Sequence, residues 1–529
     1  MQKKPDTARA LTARGLEALK AARMEEAESF ARQALAAGPS LAAAHFLVGL
    51  LATEKKDWRT AVAAFGSVTK LNPADSAAWA HLAQLLQRTG HFDRADDALA
   101  RALHGEIANP DAADLVGSVL TAFGRHREAE AFHRRAFVAE PARADFALNA
   151  AAASLFLGDD RSAAAVLDPF IEAGGVPQAE WLFSTLRKAR SRSRAARLIA
   201  RAATAAAPQS VAFLAYAAGK EYEDCECWSE AFAAFEVGAR AKRSTIEFDE
   251  TAEAALFRAL QKNFSGQWAQ QAFSGDADPS PIFIIGQPRT GTTLVERILA
   301  SHSAIEAAGE LQQFGFAARR LASPMASNPS ETAAAWAQID PEALGRAYLK
   351  SVAPMRRGKP HFIDKLPRNF MYLPLIVKAL PRAKIIHLTR DPLDACFASY
   401  KQLFAEAYPH SYDQAETARH YTRYASLMAH WRATFPGAFL DVAYENLVAD
   451  IEAESRRLIA FLDLSWEDAC LRFHELEAPV ATASAVQVRE AAHRRSVGRA
   501  VKYGDRLAPM RQILAAEGLI SPVVADSDP

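Results

Sequence analysis

Pro281-Ile-Phe-Ile-Ile-Gly-Gln-Pro-Arg-Thr-Gly-Thr-Thr-Leu294 decides the fold of the C-terminal half. The apolar run 281–285 has the length and β-branched content of a buried strand. Gly286 and Gly291 bound a loop, and Thr292-Thr293-Leu294 opens a helix. A strand that feeds a glycine-bounded loop and then a helix turns backbone amides and a helix N-terminus toward an anion. The two glycines are separated by four residues, the spacing of a phosphate-binding loop. Thr292 and Thr293 follow Gly291, so the lysine that a Mg-nucleotide loop places on its β- and γ-phosphates is missing. The loop therefore reads as a cradle for a different phosphoanhydride, and a nucleotide kinase is the disfavoured alternative.

The surrounding pattern sets the class. Phe362-Ile363 and residues 384–388 read as further buried strands separated by helical stretches. Such alternation predicts a parallel sheet with helices on both faces, an α/β fold with its ligand site at the carboxyl ends of the strands. Upstream the period changes. Ala27, Ala61, Ala95, Ala129 and Ala163 recur every 34 residues, in phase with Gly15, Gly49, Ala83, Gly117 and Ala151. Prolines close several units at Pro39, Pro73 and Pro141. A 34-residue period with small residues at two phases is the signature of an all-α tetratricopeptide-repeat solenoid, in which small side chains let paired helices approach. The period blurs after Ala163, although Trp228-Ser-Glu-Ala231-Phe232 resembles one more second helix. The expected organisation is a solenoid over 8–245 and an α/β domain over 255–520.

Pro288-Arg-Thr-Gly-Thr-Thr-Leu294 resembles the 5′-phosphosulfate loop of the sulfotransferases, in particular the tyrosylprotein-sulfotransferase-like branch and bacterial members with N-terminal tetratricopeptide repeats. The resemblance covers nearly the whole chain. It implies a P-loop-like sulfotransferase domain that uses 3′-phosphoadenosine 5′-phosphosulfate (PAPS), leaves 3′-phosphoadenosine 5′-phosphate (PAP), and needs no metal. It assigns Arg289, Thr290, Gly291, Thr292, Thr293 and Leu294 to the cofactor loop. Residues 384–400 resemble the family's 3′-phosphate motif, with Arg390 ending a strand and gripping the phosphate; a guanidinium is permanently charged and forks onto phosphate oxygens. The family's serine lies eight residues further on, where this chain has Ala398; Ser399 is one helical step away, a rotation of ~100°.

For the chemistry, the resemblance implies Glu310 in Ala308-Gly-Glu310 as general base, twenty-one residues after Arg289. Lys365 in Phe362-Ile-Asp-Lys365-Leu-Pro367 would steady the leaving phosphate, and Arg289 would add charge at the sulfuryl oxygens. Tyr444 and Ser484 match family positions beside the nucleotide, with Arg489 and Lys502 as further candidates on the late loop. His302 and His387 read as structural. The reading competes with one other class: a tetratricopeptide-repeat interaction protein whose sulfotransferase domain has lapsed, which Ala398 alone favours.

Bulk composition agrees with these classes. The 529 residues exceed one ordinary core, and half of them are apolar. Lys+Arg and Asp+Glu both number 62, so no global field draws nucleic acid or a membrane surface. No apolar run approaches the ~20 residues of a membrane span, and the N-terminus lacks the apolar core of a signal peptide. Four cysteines fit a reducing cytoplasm better than a disulfide framework. The expected partners are an acceptor with a hydroxyl group (a peptide tyrosine, a glycan or a small molecule), with the repeats serving peptide or protein recognition, or self-association into a homo-oligomer.

Overall fold

The structure, a computed structural model, describes residues 3–272, 274–322, 328–404, 406–481, 489 and 492–521. The chain divides into two compact units: Met1–Ala153 with Lys350–Met355, and Ser154–Leu349 with Arg356–Pro529. The division falls inside the helical array, upstream of its expected end near residue 245.

The first unit is built from helix pairs. Lys3–Lys20 and Met24–Ala37, Ala42–Glu54 and Trp58–Leu71, Ser76–Arg88 and Phe92–His104, then Pro110–Ala122 and His126–Ala139 follow one another with short turns. Asp57, Asp75 and Asn109 cap their helices by accepting first-turn amides at 2.9–3.2 Å, which satisfies donors that a helix cannot pair internally. The small-residue series is the packing seam. Ala27, Ala61, Ala95 and Ala129 are fully buried. A Cβ on Gly49 would lie 2.7 Å from the Phe65 ring, and one on Gly117 would lie 2.8 Å from the His133 ring.

The array continues in the second unit with Asp160–Ala173, Pro177–Leu186, Ser193–Thr204, Pro208–Asp224 and Trp228–Arg243. The blurring of the period has a local cause. Thr185 and Arg197 stand where small residues are due, and Ala195 is buried in place of the exposed Arg197. The phase then returns: Ala231 is fully buried, and a Cβ on Gly219 would lie 2.5 Å from the Phe235 ring.

The remainder of this unit is a five-stranded parallel sheet of order β2-β3-β1-β4-β5, where β1 is Pro281–Gly286, β2 Ile305–Ala307, β3 His361–Asp364, β4 Lys384–Thr389 and β5 Leu440–Ala443. The expected strands are present. The outer strands β2 and β5 were not legible, because each is short and carries a charged residue, Glu306 or Asp441. All six residues of β1 are buried, as a sheet covered on both faces requires. Ile282 and Ile284 pack with Val295, Ile298 and Leu299 of the helix Thr292–Ala300. On the opposite face the Phe283 ring meets Phe314 and Tyr348, with centroids 6.0 and 5.6 Å apart. No helix among the described residues is long and apolar enough to cross a membrane.

The seam predicts opposite signs for one substitution at two helix-interior glycines. Gly117→Ala forces a methyl into the His133 ring and should destabilise the chain by about 1–3 kcal/mol. Gly66→Ala meets nothing within 4 Å and should stabilise by up to about 1 kcal/mol. Urea midpoints of the two variants against wild type check this, and equal effects would disprove the packing role.

Candidate active site

The sheet order places the sequence-derived candidates side by side. Each strand delivers one at its carboxyl end: Glu310 lies three residues beyond β2, Lys365 directly follows β3, the loop follows β1, Arg390 directly follows β4, and Tyr444 directly follows β5. Because the strands are parallel, these ends share one edge of the sheet.

The loop is shaped by backbone conformation. Gly286 (φ +148°) pairs with Leu388 across the sheet, where a Cβ would lie 2.6 Å from the Leu388 carbonyl oxygen. Arg289 adopts φ +66°, a left-handed conformation uncommon for a side chain of its size. Gly291 (φ +99°) is the N-cap residue of the helix Thr292–Ala300, and a Cβ there would lie 2.6 Å from the Tyr444 ring. The Thr290 hydroxyl donates to the Gln287 carbonyl at 2.8 Å. Thr292 and Thr293 are buried at the first two positions of the helix, while the Leu294 amide donates to the Gly291 carbonyl at 3.0 Å and the Leu294 side chain anchors the helix in the core below.

Arg390 holds this turn from the side. It donates to the Arg289 carbonyl at 2.9 Å, approaches Asp394 at 3.4 Å, and also donates to the Ser496 carbonyl. Its guanidinium lies 4.9 Å from the Tyr444 ring centroid. Its Nε is buried with no hydrogen-bond partner, a costly state that an incoming acceptor would relieve. Burial and the Arg390 charge push the Arg289 guanidinium down to about 10, against the pull of Tyr444 and Glu223. Ser399 is buried, and its hydroxyl donates to Ala395 at 3.0 Å and reaches the Pro288 carbonyl at 3.4 Å. The one-residue displacement from Ala398 therefore still leaves a hydroxyl against the loop.

On the other side of the loop Lys365, whose side chain is 1% exposed, pairs with Glu310, whose side chain is 44% exposed. Two more carboxyls surround this pair that sequence reasoning missed. Burial pushes Glu296, on the loop helix, up to about 7, with Glu310 adding to the shift and Lys365 opposing it. Burial pushes Asp364 up to about 8, against donation from Tyr348 at 2.9 Å and Asn369 at 3.2 Å. Their signal was available only as polar residues within apolar patterns; burial turns them into titrating groups.

Other candidates fall elsewhere. Ser484 lies outside the described residues. Arg489 donates to the Phe156 carbonyl at 2.8 Å, and Lys502 is exposed. His302 contacts the Ser465 carbonyl at 2.8 Å, and His387 contacts Asp441 at 2.5 Å. Among the described residues one His/Glu cluster gathers ligand-type atoms: Glu253, His410 and His420. The two imidazoles stack with centroids 3.5 Å apart and 10° between planes. Parallel stacked rings cannot aim two in-plane lone pairs at one ion. Arg423 occupies the other Glu253 oxygen at 2.7 Å, and His420 reaches Gln287 of the loop at 3.4 Å. Glu253 and His420 form a hydrogen-bonded support beneath the loop, and the buried Nδ1 of His410 lies 3.7 Å from Glu253 without a hydrogen bond.

The raised carboxyls carry a pH signature. A group protonated in the fold but ionised when unfolded binds more protons in the native state, so its contribution to stability declines as pH climbs from the unfolded toward the folded value. Glu296→Gln removes that decline. Relative to wild type, the variant should gain on the order of 2 kcal/mol between pH 5 and pH 7.5. Urea unfolding at both pH values measures it; a relative loss would refute the burial effect.

Residues 281–468 match the family model described as "Sulfotransferase family", and residues 52–118 match a tetratricopeptide repeat model. An uncharacterized protein of Aquifex aeolicus (strain VF5) is 35% identical over 255 residues, covering 46% of this chain and 34% of that protein. A putative protein-tyrosine sulfotransferase of Caenorhabditis briggsae is 26% identical, covering 37% of this chain and 69% of its own length. Protein-tyrosine sulfotransferase 1 of Danio rerio is 27% identical, with 40% and 61% covered. The chain thus spans about a third of the Aquifex protein and under two thirds of the Danio protein. Among solved structures, the sulfotransferase domain of the Synechococcus PCC 7002 olefin synthase aligns with a TM-score of 0.33 at 17% identity, covering 48% of this chain and 100% of that domain. By these matches residues 281–468 are similar to the sulfotransferase family and residues 52–118 to tetratricopeptide repeats.

Proposed function

We propose that the protein transfers a sulfuryl group from PAPS to an acceptor hydroxyl. The observation that carries this reading is the pairing of two anion-adapted groups on one sheet edge: the glycine-bounded loop of β1 and the buried Arg390 of β4, whose Nε lacks a partner. The donor set suits a nucleotide with phosphate at both ends. Thr290, Gly291, Thr292, Thr293 and Leu294 would hold the 5′-phosphosulfate at the helix N-terminus. Arg390 and Ser399 would hold the 3′-phosphate, and Tyr444 would flank the nucleotide. When bound, PAPS supplies an electrophilic sulfur and a phosphate leaving group.

The chain's own residues divide the remaining work. Glu310 is the exposed member of its ion pair and the one an acceptor hydroxyl can reach, so it receives the proton. Lys365 is a buried compact cation that favours negative charge growing on the leaving oxygen. Arg289 balances the sulfuryl oxygens. Glu296 and Asp364, with raised proton affinities, keep Lys365 from being fully neutralised near neutral pH. The acceptor proposed first is a peptide tyrosine, supported by the names of the Caenorhabditis and Danio relatives and by repeats suited to presenting a peptide.

Calorimetric titration of PAP against 5′-AMP, with chelator present, tests the donor. Binding that requires the 3′-phosphate and weakens by about tenfold or more in Arg390→Ala is expected. Equal binding of AMP, or none, would replace the enzyme by a repeat scaffold with a lapsed domain. In turnover assays Glu310→Gln should lose about 10²–10⁴-fold in kcat while still binding PAP; retention of activity would remove Glu310 from the base role.

A further inference from the structure

Glu223 belongs to the helix Pro208–Asp224, in the array, yet its carboxylate is buried among cations of the sulfotransferase domain. Lys401 donates to both of its oxygens, at 2.6 and 2.9 Å. Arg499 lies 3.2 Å away, and the Tyr503 hydroxyl donates at 2.8 Å. Burial alone would raise the proton affinity of Glu223, but Lys401 and Arg499 hold it down at about 2. Lys401 follows the helix of Ser399 by one residue and feels the charge of Arg289.

The same contact organises the segment over Arg390. Arg499–Leu507 is clamped from both sides: Tyr503 is fully buried between Phe397, at 4.3 Å between centroids, and Trp228 of the array, at 5.7 Å. Arg499 lies 4.5 Å from the Trp228 ring. Just upstream, the amides of Gly498 and Ala500 each donate to Asp394 at 2.7 Å, and Ser496 offers its carbonyl to Arg390. Within this network Arg289, Arg390, Lys401 and Arg499 lie against Glu223 and Asp394, with the Asp391 and Glu445 carboxylates next to Asp394. The buried Arg390 Nε, without an acceptor in this network, favours an incoming anion.

We propose that Glu223 is a positioning residue supplied by the helical array, which holds Lys401 as a second cation of the 3′-phosphate clamp beside Arg390. The inference rests on the PAPS reading. Without the carboxylate, Lys401 is a cation whose proton affinity burial already lowers. It would shed its proton or swing toward water, so the field gained by deleting an anion is lost with the cation. The last helix pair of the array is thereby part of the nucleotide site.

Calorimetric titration of the full chain with PAP and with 5′-AMP tests this in Glu223→Gln, Glu223→Asp, Lys401→Met and the double variant Glu223→Gln/Lys401→Met. Glu223→Gln, nearly the same size but uncharged, should reduce the PAP-over-AMP preference about tenfold. Glu223→Asp, shorter but charged, should restore most of it. In the Lys401→Met background, Glu223→Gln should add no more than about twofold, the mark of a shared pathway. An unchanged preference in Glu223→Gln overturns the inference, as does parallel loss of PAP and AMP with no rescue by aspartate. Failure of the wild-type chain to bind PAP overturns the donor assignment and this inference together. Intact wild-type binding with an indifferent Glu223→Gln overturns this inference alone.

Discussion

Parallel pairing of β1 between β3 and β4 is the constraint on which the site depends. It forces Lys365 and Arg390, more than twenty residues apart in sequence, to emerge on opposite flanks of the β1 loop. Because β2 and β5 extend the same parallel sheet, Glu310 and Tyr444 join the row. An antiparallel neighbour would have sent its carboxyl end to the far edge. The hydrogen-bond ladder therefore does what no local motif can: it converts five separate strand ends into one row of functional groups.

Buried charge is the second theme. Arg390 and Lys365 are both nearly fully buried, and each is given a carboxylate: Asp394 for the first, Glu310 for the second. Desolvation would otherwise make either cation costly. The two halves of the site are compensated differently. Around Lys365, carboxyls outnumber the ammonium, and burial pushes two of them up, Glu296 to about 7 and Asp364 to about 8. Around Arg390 a buried donor is left unpaired. A carboxyl-rich side and a side with an unpaired buried donor thus lie on either flank of the loop.

The helical array is not a uniform appendage. Its regular stretch follows small residues that let helices close, and one helix pair breaks the phase where Thr185 and Arg197 replace them. After the phase returns, helices Pro208–Asp224 and Trp228–Arg243 turn polar and aromatic side chains to the α/β domain: Tyr216 donates to the Tyr400 carbonyl at 2.9 Å, and Arg243 pairs with Glu416 at 2.9 Å. These contacts lie within one compact unit, which is why the unit boundary falls at residues 153–154 and not where the repeats end.

Local patterns carried much of the reading. The 34-residue period announced the repeats, and the apolar run before Gly286 announced the loop, because helix packing and backbone conformation are written in short-range residue choices. Arg289, Glu310, Lys365 and Arg390 were legible through motifs next to strands. Glu296, Asp364, Glu223 and Lys401 were not, since nothing beside them in sequence distinguishes them from solvated charges. Ser399 shows the limit from the other direction: one residue off the expected place, it looked displaced, yet helix placement sets its hydroxyl against Pro288. The sequence by itself determined the repeat class, the sheet class and the glycine-bounded loop between strand and helix. Only the tertiary structure decided which charges are buried and which face one another, because desolvation and charge pairing depend on distances between segments that the chain order does not contain.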